Sequence, residues 1–312
     1  MAINQEYREI YQKEIIEKSK GIIFSYSPMS DIYKYLPFSH NVGENAVEDL
    51  ATIMRRNLPF YCYGEEEVVN RYKAGQFGKM EDMIKFSFKQ RLPDRSNIND
   101  GLLSETLLDL LIQIYTPNAY KMAVRTLFRQ NDRNEIKGYD LTYFTKDDTG
   151  LSLWLGQAKL GGKKYCEDSI DKDIETKYGQ DYLSKQMFFI CDKPAEITAD
   201  AKEILRLIER INMASINENE KARAKELVQC FSDNHIKIVI PCLLAYGAGT
   251  VYHDFSSVYD CVMSEIEDMK KYYGKKTYAF DGFNPEILFY VFPIEDVERI
   301  RSKETGFYAG LC

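Results

Sequence analysis

"KGYDLTYFTKDDTGLSLWLGQAKLGGKK", Lys137 to Lys164, is the stretch on which the reading of this chain turns. Two runs rich in leucine and aromatics flank a polar turn, so the stretch reads as a hairpin of strands 138–144 and 151–159. In an extended strand, side chains at i and i+2 point to the same face. Gln157 and Lys159 therefore project together, and Asp140 on the neighbouring strand reaches the same end. A carboxylate, an amide and an ammonium are out of place where strands should bury side chains. Hydrolysis of a phosphodiester asks for this set: oxygen ligands for Mg2+, a metal that polarises the phosphoryl group and activates water, and a lysine that steadies developing charge. A solvated strand end has the same spacing, and spacing alone leaves both readings open.

Upstream, "RLPDRSNINDG" at 91–101 is a polar connector, after which Asp100 can cap a long helix, "GLLSETLLDLLIQIY", ending before Pro117. Glu105 lies on this strongly apolar helix, where a carboxylate needs a reason to be kept. It is a fourth candidate, although Asp109 and Gln113 follow at i+4 and i+8 and the three also read as a polar stripe. Lys121, Arg125, Arg129, Arg133 and Lys137 recur every four residues. If 119–130 is helical, Lys121, Arg125 and Arg129 form a basic face for DNA; a strand would scatter them. Lys163 and Lys164, beside Gly161 and Gly162, offer further phosphate contacts or a solvated turn.

Elsewhere, periodicity predicts helices over 3–20, 45–57, 65–90 (interrupted by "AGQFGK"), 165–185, 196–214, 217–232, 256–273 and 295–303. Strands are expected at "GIIFSYSP", at "LPFYCYG" (58–64), at "MFFIC" (187–191), at "HIKIVIPCLLAYG" and at "ILFYVFPI". The order predicts an α/β protein with a mixed central sheet flanked by helices. The connector divides an N-terminal helical or mixed region, 1–90, from a domain at 91–312.

Bulk properties restrict the function. The 312 residues carry a net charge of −7, whereas proteins that hold nucleic acid unaided are usually basic. Such a chain must concentrate its cations locally or rely on a partner to hold DNA. Seven cysteines without a C-x-x-C pair read as reduced thiols, and three histidines with no shared helical face leave no His-built zinc site. No G-x-x-x-x-G-K-[ST] occurs, so ATP binding is not expected of the chain itself. Neither a membrane-length apolar window nor a signal-peptide core is present, and a cytoplasmic protein without membrane contact is expected.

"RLPDRSNINDGLLSETLLDLLI", "IKGYDLTYF" and "LSLWLGQAKL" resemble the successive motifs of the PD-(D/E)xK nuclease superfamily. More closely they resemble HamA, the nuclease subunit of Hachiman anti-phage defence systems, and the related AbpA. The resemblance is close over 91–165, extends to 304 through "HIKIVIPCLLAYG" and "ILFYVFPIEDVERI", and is poor over 1–90. It implies a restriction-endonuclease-like core and a metal-dependent DNA endonuclease or nickase working beside a HamB-like helicase, which burns ATP and controls it. Asp140, Glu105, Gln157 and the Ala158 carbonyl would hold Mg2+ (or Mn2+), and Lys159 would be the catalytic lysine. One departure is plain: the family's Glu of E-x-K is Gln157 here, so the site loses one carboxylate. The competing expectation is a catalytically weakened fold kept as a regulatory or interaction subunit of a helicase complex.

Overall fold

The computed structural model describes residues 3–92, 101–124, 138–147, 150–191 and 201–311. The N-terminal part comprises α1 (Ile3–Tyr11), a π turn leading into α2 (Glu17–Ser19), β1 (Ile23–Ser25), β2 (Met29–Ser30), β3 (Lys34–His40), α3 (Ala46–Arg56), α4 (Leu58–Cys62), α5 (Glu65–Lys73) and α6 (Met80–Arg91). Then follow α7 (Leu102–Tyr115), β4 (Ala119–Ala123), the hairpin β5 (Leu141–Asp147) and β6 (Gly150–Gly161), α8 (Lys163–Lys177) and α9 (Gln180–Cys191). The chain ends with α10 (Lys202–Ala214), α11 (Glu220–Asp233), β7 (Lys237–Gly247), α12 (Val258–Tyr273), β8 (Glu286–Ile294) and α13 (Val297–Arg301).

The sheet runs β1-β3-β8-β7-β6-β5-β4, with β2 paired to β3. Its centre, β3-β8-β7-β6, is parallel, and β5 and β4 add antiparallel strands beyond β6. Parallel strands carry helices on both faces, and two buried clusters form accordingly. One joins residues of α1 and α3–α7 to the sheet; the other joins residues of α8–α12 to its opposite face. The mixed sheet flanked by helices is as expected.

Three local expectations fail. Residues 58–62 are helical: Pro59 fits the first turn of a helix, and all five side chains are buried. "MFFIC" closes α9 instead of forming a strand. A short apolar run buried all round has no period by which strand and helix can be told apart. β3 was not expected at all, because Pro37 and Ser39 interrupt its apolar pattern. Residues 93–100 of the connector, Asp100 among them, lie outside the described residues.

Two positions hold the layers in register. Gly156 of β6 sits under α7, where an added Cβ would lie 3.1 Å from Leu108 Cδ2 and 3.3 Å from Leu141 Cβ. At the far edge His40, 1% exposed, ties β3 to the end of β8. Its Nδ1 lies 2.7 Å from the Asn41 carbonyl and its Nε2 accepts the Glu295 N–H at 3.0 Å. Those partners require the neutral ring with its proton on Nδ1, because a second proton would face another N–H. Burial pushes the His40 pKa down to about 4. The unfolded chain takes up this proton first as pH falls from ~6.5, so stability declines between ~6.5 and 4 and is flat below. The expected loss is about 3 kcal/mol. Urea melts at pH 7 and pH 4.5 should show this increment shrinking in His40→Gln relative to wild type.

Candidate active site

β5 and β6 pair with Leu141 opposite Gly156, which puts Asp140 beside the stretch Gly156–Ala158. The Asp140 N–H donates to the Gly156 carbonyl at 3.0 Å. The Ala158 N–H donates to Asp140 Oδ2 at 2.8 Å. The carboxylate is 8% exposed and held by backbone on the adjacent strand. Gln157 and Lys159 alternate with Ala158 and turn toward α8, the side on which Leu153 and Leu155 are buried. Asp140, Gln157 and Lys159 are thus brought together as the period of two predicts.

Helix α8 supplies two residues that sequence reading missed. Lys159 Nζ lies 2.6 Å from Asp173 Oδ2, and Lys177 Nζ lies 3.1 Å from the same oxygen. Lys177 also donates to Gln157 Oε1 at 2.6 Å, while Gln157 Nε2 donates to the Gly156 carbonyl at 3.0 Å. Gln157 is fully buried. Burial works against the Lys159 charge, but the Asp140 and Asp173 carboxylates outweigh it and hold the ammonium above the ordinary lysine range. Lys159 is a cation at neutral pH, suited to stabilising negative charge and not to removing a proton. Beneath it, burial pushes the Cys242 thiol up, so it stays protonated. The available sequence signal was the i, i+4 spacing of Asp173 and Lys177 on the helix after the motif.

Glu105 arrives from the other side of the sheet. The first turn of α7 lies over β6, where Ser104 Oγ is 3.4 Å from the Ala158 carbonyl and 2.9 Å from that of Gly101. Glu105, 4% exposed, accepts the Tyr61 hydroxyl of α4 at 2.5 Å. Farther along α7, Asp109 and Gln113 are also buried and meet Asn57 and Tyr7. The polar stripe exists, and its partners include Tyr61, Asn57 and Tyr7 of the N-terminal segment as well as Tyr143 of β5.

The expected donor set fits a hard cation in part. Asp140, Glu105 and the Ala158 carbonyl are oxygen donors of the kind Mg2+ takes. The Gln157 amide oxygen fits less well, because the Lys177 ammonium already occupies it and competes directly with a metal. Among the described residues, no group of three or more His, Cys, Asp or Glu side chains is placed to hold a metal.

The expected DNA contacts need one correction. Lys121 lies on strand β4, 3% exposed, donating to the Phe60 carbonyl and 3.2 Å from Asp109 Oδ1. Strand geometry turned it into the core, so it cannot meet DNA. Arg125, Arg129, Arg133 and Lys137 lie outside the described residues. Lys163 pairs with Glu265 at 2.8 Å, and Lys164 pairs with Asp168 while remaining exposed.

Fold and cluster together define a mixed α/β protein with an Asp/Gln-x-Lys constellation, Asp140 and Gln157 buried and Lys159 partly exposed, across two antiparallel strands. The HamA family model matches residues 10–311, almost the whole chain and including the N-terminal segment where the motif resemblance was poor. The chain belongs to the HamA family and is a Hachiman anti-phage defence subunit. No curated protein matches it. Among the described residues, no helix is long and apolar enough to cross a membrane.

Proposed function

We propose that this chain is the nuclease of its defence system, a Mg2+-dependent DNA endonuclease or nickase under the control of a helicase partner. The observation that carries the reading is the Asp140 carboxylate, fixed by the Ala158 N–H, with the Lys159 ammonium beside it. Asp140, the Ala158 carbonyl and Glu105 would hold the ion; Gln157 joins them only by giving up Lys177. When bound, the metal supplies Lewis-acid polarisation of the phosphoryl group and an activated water. Lys159 stabilises charge on the phosphoryl oxygens, and Asp173, braced by Lys177, keeps Lys159 directed. Manganese has the same oxygen preference and would serve in place of magnesium.

The runner-up is a weakened fold serving as a regulatory subunit for the helicase. The engaged Gln157 oxygen favours it. Calorimetric titration with Mg2+ and Mn2+ separates the two. The nuclease reading expects saturable binding that Asp140→Asn removes, and tighter binding in Gln157→Glu, where a third carboxylate is added and Lys177 keeps Asp173 as its anionic partner. Wild-type protein that binds neither ion would leave the regulatory reading.

A further inference from the structure

With Lys121 buried, any cations of this acidic chain that meet a phosphate backbone lie elsewhere on its surface. Helix α5 opens on Glu65, Glu66 and Glu67, and the acids of α6, Glu81 and Asp82, fall in its first turn, whereas Lys85, Lys89 and Arg91 fall in the later part of α6, where no acid follows them. Helix α6 buries Met80, Met83, Ile84 and Ser87, which leaves Lys85, Phe86 and Lys89 exposed on the outer face. Phe86 is 44% exposed, and the Arg71 guanidinium of α5 lies 5.4 Å from its ring centroid. The same Arg71 lies 4.4 Å, and Arg91 lies 4.7 Å, from the ring centroid of the buried Tyr63. Arg71 is held further by Glu67 and Gln76. Arg71 is thus fixed beside an exposed ring, and the exposed Lys85 and Lys89 share that ring's helix. The segment before α5 reaches the candidate site: Tyr63 is two residues from Tyr61, whose hydroxyl bonds Glu105.

We infer that the outer face of α6, with Lys85, Lys89 and Phe86 and with Arg71 of α5 beside the ring, is a docking surface for a DNA strand. Its charge complements phosphates, and an exposed ring beside a guanidinium accepts an unstacked base without regard to sequence. The inference rests on the nuclease reading and extends it by placing the substrate on the N-terminal layer. An acidic protein is the other class of ligand such a face would suit; the exposed aromatic among the cations favours DNA.

The test is fluorescence anisotropy of labelled single-stranded and duplex oligonucleotides with the full-length chain in EDTA, across a salt series. Lys85→Glu/Lys89→Glu is expected to weaken binding by about tenfold or more and to lower the salt slope by about two. Phe86→Ala is expected to weaken single strands more than duplexes. The matched reversal Lys221→Glu/Lys225→Glu, at two exposed lysines of α11, is expected to change affinity less than twofold. An unchanged affinity in the α6 reversal, equal loss in both reversals, or a wild type that binds no DNA would overturn the surface. The last result, joined to retention of the helicase partner by wild type but not by the α6 reversal, would assign the face to an acidic protein. Because cleavage and metal play no part, DNA binding without Mg2+ binding would sink the enzyme and leave the surface standing.

Discussion

Lys159→Ala should lower plasmid nicking by about 100- to 1,000-fold, the usual cost of removing one charge-stabilising donor from an active site. Asp140→Ala should abolish it. The two variants are expected to differ in how they treat the metal. Asp140→Ala removes the central ligand, so Mg2+ binding goes with the activity. Lys159→Ala takes an ammonium away from two carboxylates, Asp140 and Asp173, and leaves more negative potential at the ion's position. Its metal affinity should be equal to that of wild type or higher while turnover collapses. Nicking assays with the purified helicase partner, paired with calorimetry, read both effects. Equal nicking in wild type and both variants would remove these residues from catalysis.

The second large effect lies in the buried network under α1. Asp109, fully buried on α7, accepts from Asn57 Nδ2 and Gln113 Nε2 at 2.7 Å each, and from the Tyr143 hydroxyl. Lys121 pairs with it at 3.2 Å. Tyr11 donates to Asn57 and Tyr7 to Gln113, so helices α1 and α7, the α3–α4 junction and strands β4 and β5 meet around one carboxylate. Asp109→Ala strands a buried ammonium and three donors, and should cost about 3–5 kcal/mol. Lys121→Met alone leaves the carboxylate uncompensated and should cost a similar amount. Asp109→Leu/Lys121→Met removes both charges together and should be less damaging than the two single changes combined. Denaturant melts would show this; strictly additive losses would mean that the pair is not coupled.

The sequence made the strand-borne part of the candidate site legible for a physical reason. Asp140, Gln157 and Lys159 sit on two strands joined by a short turn, so a period of two and the hairpin register suffice to bring them together. Asp173 and Lys177 come from α8, which folds back over β6, and no local rule says which helical face meets which strand residue. Glu105 was singled out by its apolar neighbours, but its bond to Tyr61 depends on residues 58–62 being helical, where a strand was expected. Lys121 failed in the same way: a four-residue repeat of cations suggested a helical face, and strand pairing with β5 turned it inward. Long periodic helices such as α3, α7 and α12 and the apolar strands β7 and β8 were legible because each has one dominant period. β3, broken by Pro37, took its place in the sheet through parallel pairing with β8.

The most direct measurement is a crystal of the wild-type protein grown or soaked with Mn2+ and recorded at the manganese absorption edge. The nuclease reading predicts an anomalous peak about 2.1 Å from an Asp140 oxygen and from the Ala158 carbonyl, with Lys159 adjacent. A well-ordered map with no peak there under saturating Mn2+, or with a peak only at a site that does not include Asp140, would contradict it.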